Sequence, residues 1–368
     1  MVIEQLPITT TTKYNFPQEN IALTLPQTFL ELSIQSIKTV EKQPLCLREL
    51  LNFQQDTMTT LPVPKHVIAK PISLKPKRDN SVVSAADVSS IKIGETSTGL
   101  LIAIRGAVVW KQNSDYRYLR VGPFLFHVTE ENKHEIYNRL RRAYFGFVHQ
   151  NHKTAGLHST STPNLMQMQS RLTGLFEKWL QMSMTMAENG LILWDGALTA
   201  GTPEAPLDVV ERILEIARKR GAVVMGFSKM TRLRFLGYRI TDLLTQSKPP
   251  CLLKLDGYSK VCGPIRLLGD IYVARLAEGN CAFRLDLDRK LPNEQHVEAV
   301  QRLLGNDIVL QGYPETLRLA HILCTFTANE VIAMQRFIAN KMKLNMVSRP
   351  NIRRILFGPY GKGDGEAY

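Results

Sequence analysis

The chain has 368 residues, 44% of them apolar and 21% charged, a balance that excludes a disordered chain and allows one large domain or two ordinary ones. Lysine and arginine outnumber aspartate and glutamate by 46 to 33, and the resulting net charge of +13 favours a polyanionic partner, nucleic acid first. The five cysteines form no Cys-x-x-Cys pair, the N-terminus lacks a secretory pattern, and the longest apolar run (99–110) is too short for a membrane span and holds Arg105. Reduced thiols and a cytoplasmic protein with no membrane attachment are the expectations.

In chain order, residues 1–58 read as a small helical N-terminal extension, because Leu30, Ile34 and Ile37 share helical spacing. Residues 59–96 read as a linker, since "LPVPKHVIAKPISLKPKRDN" carries four prolines and five Lys/Arg. The main domain is expected over 97–346, followed by a tail at 347–368. "LLIAIRGAVVW" reads as a central strand and "YRYLRVGPFLFHV" as one or two more, before the basic, aromatic stretch "NRLRRAYFGFVHQNHK". Leu165, Met168, Leu172, Leu175, Trp179, Met182 and Met186 step by three and four, which predicts a helix over 164–188 closed by Asn189-Gly190. A strand at 191–195, a helix at 207–220, the strand "AVVMGF" and a helix from about Met230 follow. "DIYVARL" and "CAFRLDL" predict a hairpin, and helices are expected near 293–304, 314–324 and 328–343, the last with a capping box from Thr327 and Glu330. Strands alternating with helices point to an α/β domain around a mixed sheet.

"LILWDGAL" places Asp195 at the tip of an apolar strand. Twelve helical residues back from Asn189, roughly 18 Å, reach Glu177, and six extended residues forward, roughly 20 Å, reach Asp195. A helix that turns back at Asn189 therefore brings the two acids level, as a hard divalent cation requires. Asp-Gly is also a common turn dipeptide, and Glu177 also fits a solvated edge. In "QGYPETLRLAHILC", Pro314 suits the first position of a helix, which puts Tyr313 at its mouth and His321 two turns in. A histidine on such a stripe is equally compatible with a core position.

Taken together these stretches resemble the NurA family of prokaryotic DNA-end-processing nucleases. "LILWDGAL" resembles that family's second acidic motif, Glu177 its helical glutamate, and "GYPETLRLAH" its C-terminal motif, with the same eight-residue step from Tyr313 to His321. "VVMGFSK" matches its strand ending in Ser-Lys, which points to Lys229. The resemblance spans roughly Gly99 to the last helix. It implies an RNase H-like mixed β-sheet flanked by helices, and a metal-dependent nuclease acting on linear DNA ends, single- or double-stranded, in double-strand break repair and end resection. It further implies Mn²⁺ or Mg²⁺ as cofactor, a homodimer, and partnership with a HerA-type hexameric ATPase. The site residues it implies are Glu177, Asp195, Tyr313, His321 and Lys229, with Asp195, Glu177 and His321 at the metal. Arg139, Arg141, Arg142, Lys229, Arg232 and Arg234 supply cations for the DNA backbone.

One position departs from the family. Its first strand ends in Asp-Gly-Ser, and the matching stretch here reads Arg105-Gly106-Ala107, with no acid between Gly99 and Asn113. Arg105 is expected to pair with Asp195 in place of a cation, with Glu95, Asp115 or Asp286 as the acids available to compensate. A catalytically impaired NurA-like DNA-binding subunit is then the alternative to an active nuclease.

Overall fold

Alternating apolar residues build one large mixed sheet whose two faces are covered by different helices. A computed structural model describes residues 3–4, 24–38, 45–47, 70–148, 163–185, 188–231, 233–235, 238–255, 261–262, 265–279, 281–344 and 346–348. The main strands are β1 (Val83–Glu95), β2 (Gly99–Gln112), β3 (Asp115–Thr129), β4 (Leu191–Asp195), β5 (Val223–Ser228), β6 (Cys251–Leu255), β7 (Gly269–Arg275) and β8 (Phe283–Asp288). The helices are α1 (Thr24–Lys38), α2 (Lys133–Val148), α3 (Met168–Met184), α4 (Leu207–Lys219), α5 (Asn293–Asn306), α6 (Glu315–Cys324) and α7 (Ala328–Met342).

Across the sheet the order is β3-β2-β1-β4-β5-β8-β7-β6. The first three strands form an antiparallel meander, β4 and β5 continue parallel to β1, and β8, β7 and β6 close the other side antiparallel. This is the RNase H-like mixed sheet flanked by helices that the resemblance implies. The linker reading does not hold over 83–95. Prolines end at Pro76, and the β-branched and small residues that follow form β1 at the centre of the sheet. Nor does α1 stand apart from the main body. Phe29 packs against Phe124 at 5.4 Å, Phe126 at 5.7 Å and Phe176 at 4.9 Å between ring centroids, in the main core.

The period of two decides what each face receives. Ala86, Ile192 and Trp194 lie in the core with α1 to α4, whereas Val83, Ala85, Leu191 and Leu193 lie with α5 and α6. Asp87 and Asp195 continue this second series. Gly106 brings α3 tight against β2, since a Cβ there would sit 2.5 Å from Leu180 Cδ1 and 2.8 Å from Phe176 Cε1. Strands β1 to β3 run past the end of β4, and there α7 contributes Ile338 and Ala339 against Ile93, Leu101 and Ala103.

Most predicted elements are present. Asn189 adopts the left-handed conformation (φ 51°) beyond α3, the 269–288 hairpin is β7–β8, and Thr327 and Glu330 form the capping box of α7. The helix expected from Met230 is absent. Arg234–Phe235 and Tyr238–Arg239 pair as short strands, followed by a 3-10 turn at Ile240–Leu244, because Leu233, Phe235 and Tyr238 pack on the β6–β7 side of the core. No helix among the described residues is long and apolar enough to cross a membrane.

Candidate active site

Three adjacent parallel strands bring the polar groups together, at the carboxyl ends of β4 and β5 and part-way along the longer β1. Ala86 of β1 is the ladder partner of Trp194 of β4, so Asp87 and Asp195 occupy the next positions on neighbouring strands, about 4.8 Å apart across the sheet. Both belong to the face covered by α6. Asp195 in turn is level with Phe227 of β5, and Lys229, just beyond that strand, donates from Nζ to Asp195 Oδ2 at 2.7 Å. The turn after Asp195 requires glycine, because Gly196 has φ +107° and its N–H bonds the Phe227 carbonyl at 2.6 Å. The Asp-Gly dipeptide is thus a turn and also the point where a carboxylate leaves the sheet.

Glu177 arrives from α3, as the helix arithmetic requires. Its Oε1 accepts from Gln181 Nε2 at 2.7 Å, with Lys178 Nζ at 3.9 Å. Burial raises the Glu177 carboxyl above its ordinary range; Lys178 opposes this, while the charges of Asp87 and Asp195 add to it. The acids at 87, 177 and 195 therefore share one electrostatic environment.

Helix α6 closes the site from the other side. His321 Nδ1 lies 2.6 Å from Asp87 Oδ2, its side chain about half exposed. Tyr313 stands before the helix, edge-on to Phe227 and 5.5 Å beneath the Lys229 ammonium. Its hydroxyl is buried with no hydrogen-bond partner, and burial, followed by the charges of Asp195 and Asp87, holds its pKa well above the ordinary value. Cys324, at the end of α6, is buried beside Asp87 and His321. Among the described residues, the possible metal-ligand atoms that lie within 4.8 Å of one another are those of Asp87, His321 and Cys324; Asp195 and Glu177 are outside that group, and their charges reach it through space.

Asp87 is the acid the sequence reading misses. The strand alternation of "SVVSAADVSS" and its Asp-Val-Ser, close to the Asp-Gly-Ser of the resemblance, are the signals that mark it. Arg105 does not stand in for it. Arg105 lies on β2 opposite Ser89, and its guanidinium bonds Glu330 Oε1 at 2.8 Å and stacks over Phe326 at 4.5 Å. The expected Arg105–Asp195 pair is therefore replaced by Arg105–Glu330 and Lys229–Asp195. None of the three acids expected to compensate joins the cluster. Glu95 pairs with Lys92, Asp115 is exposed at the β2–β3 turn, and buried Asp286 pairs with Arg284 and accepts from the Leu198 amide.

The basic residues are distributed differently. Arg139 pairs with Glu135, and Arg142 donates to the Asn138 carbonyl, both within α2 on the opposite side of the sheet from α6. Arg141 shares that helix, and its charge reaches Tyr137. Arg234 is exposed on its short strand, and Arg232 lies outside the described residues. Of the cations expected at DNA, Lys229 is the one that stands at the carboxylates.

No family model matches the chain, and no curated protein matches it. Among solved structures, one titled simply NurA is similar at 9% identity over 75% of this chain and 91% of that one, with a TM-score of 0.40. Endonuclease V from Bacillus subtilis is similar at 11% identity over 75% and 90%, with a TM-score of 0.32. The NurA nuclease from Sulfolobus solfataricus is similar at 16% identity, over 74% of this chain and 88% of that one, with a TM-score of 0.50, a likeness of fold.

Proposed function

We propose that this chain is a metal-dependent deoxyribonuclease of NurA type that acts on DNA ends, and not an impaired DNA-binding relative. The observation that carries this reading is that Asp87 of β1 and Asp195 of parallel β4 each follow the paired Ala86 and Trp194, with Glu177 in their electrostatic field. Asp87 would then take the part of the family's first-strand acid in place of Arg105. Asp87, Asp195, Glu177 and His321 would hold Mn²⁺ or Mg²⁺. When bound, the metal supplies Lewis-acid stabilisation at the scissile phosphate and a more acidic water.

The chain's own groups set the rest of the chemistry. Lys229, released from Asp195, offers its charge to a phosphate oxygen. Tyr313 has a buried hydroxyl free to donate to the same phosphate or to hold a water. His321 is held against Asp87 through Nδ1, which leaves Nε2 to complete the metal shell or orient a water. Arg139, Arg141, Arg142, Arg232 and Arg234 would contact the sugar-phosphate backbone, in keeping with the +13 charge. A homodimer, a HerA-type ATPase partner and a place in double-strand break repair extend the same reading.

The test is cleavage of linear duplex and single-stranded DNA with Mn²⁺, Mg²⁺ or chelator, comparing wild type with Asp87→Asn and Asp195→Ala. Metal-dependent cleavage lost in both variants is expected. Cleavage indifferent to either substitution, or none with any metal, would overturn the assignment.

A further inference from the structure

The carboxylate cluster has a sulfur on one side that the hydrolytic chemistry does not use. Cys324 and His321 lie three residues apart on one face of α6, directed at Asp87 of β1. One ligand atom from each of Asp87, His321 and Cys324 lies within 4.8 Å of the other two. Cys324 Sγ also points back to the His321 carbonyl, at 3.3 Å. The three positions differ in access. Cys324 is fully buried, Asp87 is nearly so, and His321 is about half exposed and leaves a route in from solvent.

We infer that Asp87, His321 and Cys324 form a second, nitrogen-oxygen-sulfur site that takes a thiophilic divalent cation of the zinc class. Hard cations are held by oxygen donors, whereas zinc and cobalt favour sulfur and imidazole ligands. Bonds of about 2.0–2.3 Å to three such atoms put the ligands roughly 3.3–3.8 Å from one another in a tetrahedral site. To meet this the Asp87–His321 contact opens by roughly 0.7 Å, and the sulfur, within 4.8 Å of both, moves in by up to roughly 1 Å. The thiol proton leaves to solvent as the sulfur–metal bond forms, and the fourth position faces the His321 opening.

This site shares Asp87 and His321 with the proposed hydrolytic centre. Where that proposal holds, zinc occupancy removes both residues from the reaction and inhibits cleavage. The binding claim itself is tested without DNA. Metal-free full-length protein is titrated with Co²⁺, and the near-ultraviolet thiolate-to-cobalt absorption is followed, then Zn²⁺ is used to displace it. The expected result is the band in wild type and in Cys281→Ser, which removes the exposed thiol among the described residues, and its loss in Cys324→Ser and His321→Ala. Zinc affinity should fall about 10- to 100-fold or more in those last two. Absence of the band from wild type overturns the inference even if a variant fails to fold, as does its persistence in Cys324→Ser. Failure of the nuclease proposal is read separately, as the absence of DNA cleavage with every metal.

Discussion

Two charged regions lie along the sheet, one where β4 ends and Glu177 reaches in from the α3 side, and one farther along β1 and β2 on the α6 and α7 side. In the first, Asp87, Asp195 and Glu177 gather like charges, opposed by the partly exposed Lys229 and by Lys178. In the second, Arg105 and Arg120 meet Glu330, which also caps α7. The Glu330 carboxyl answers the pairing. Burial alone would raise it, and the hydrogen bonds from Arg105 and from Thr327 bring it from its ordinary 4.5 down to about 2. Glu177 moves the opposite way. Charges that satisfy one another serve the fold, while carboxylates gathered against their own repulsion, with only Lys229 and Lys178 to offset them, favour a bound cation.

The largest way to break this contrast is to remove an acid from the first region. Asp87→Asn or Asp195→Asn should lower metal-dependent cleavage by about 10³-fold, the order of 4 kcal/mol in the barrier, measured as single-turnover rates. Tyr313→Phe comes next. Losing a buried hydroxyl without a partner should leave the unfolding free energy within about 1 kcal/mol of wild type. If that hydroxyl meets the phosphate or its water, cleavage falls about 10²-fold in the same variant.

Arg105→Ala reverses the pattern. Removing the buried guanidinium should cost about 2 kcal/mol in urea unfolding, less than a fully buried pair because Glu330 is a third exposed and keeps Arg120, while cleavage per folded molecule is unchanged. The sign with pH is fixed. Glu330 is depressed in the folded state, so its stabilisation is present above pH 4.5 and is lost as pH falls toward about 2. Without Arg105 that acid-limb loss should shrink. If cleavage falls with stability retained, Arg105 belongs to the site after all.

Glu177→Gln shifts stability in the opposite direction from Arg105→Ala, and by less. It keeps an acceptor for Gln181 and removes a partly buried charge, so the metal-free protein should gain at most roughly 1 kcal/mol at pH 7, about 2 °C in Tm. Because the folded-state pKa of Glu177 is raised, the wild-type carboxyl takes up its proton as pH falls. The gain should therefore fade and vanish below the ordinary 4.5. An unchanged Tm at pH 7 would mean that Glu177 is not strained by its neighbours.

Much of this was legible in the residues. The stepping of Leu172, Leu175 and Trp179, the Asn189-Gly190 cap and the length match between helix and strand place Glu177 level with Asp195 from local pattern alone. Asp87 was not legible in the same way. It lies far from the other acids in sequence and follows a proline-rich stretch, so composition assigned it to a linker. The sequence also offered a more apolar strand, β2, in which Arg105 occupied the expected place. Parallel pairing of β1 with β4 is a long-range choice that no local pattern encodes.

The amino-acid sequence by itself determined the helices and strands with strong periodicity, the turn at Asp195-Gly196, the cap of α7 and the excess of positive charge, because these depend on near neighbours and composition. Only the tertiary structure decided which acid stands beside Asp195, which partner Arg105 takes and that Cys324 faces the same point. Those outcomes follow from strand order and from which face each side chain meets. Strand order is settled by burying both faces of the sheet at once, a condition on the whole chain rather than on any segment of it.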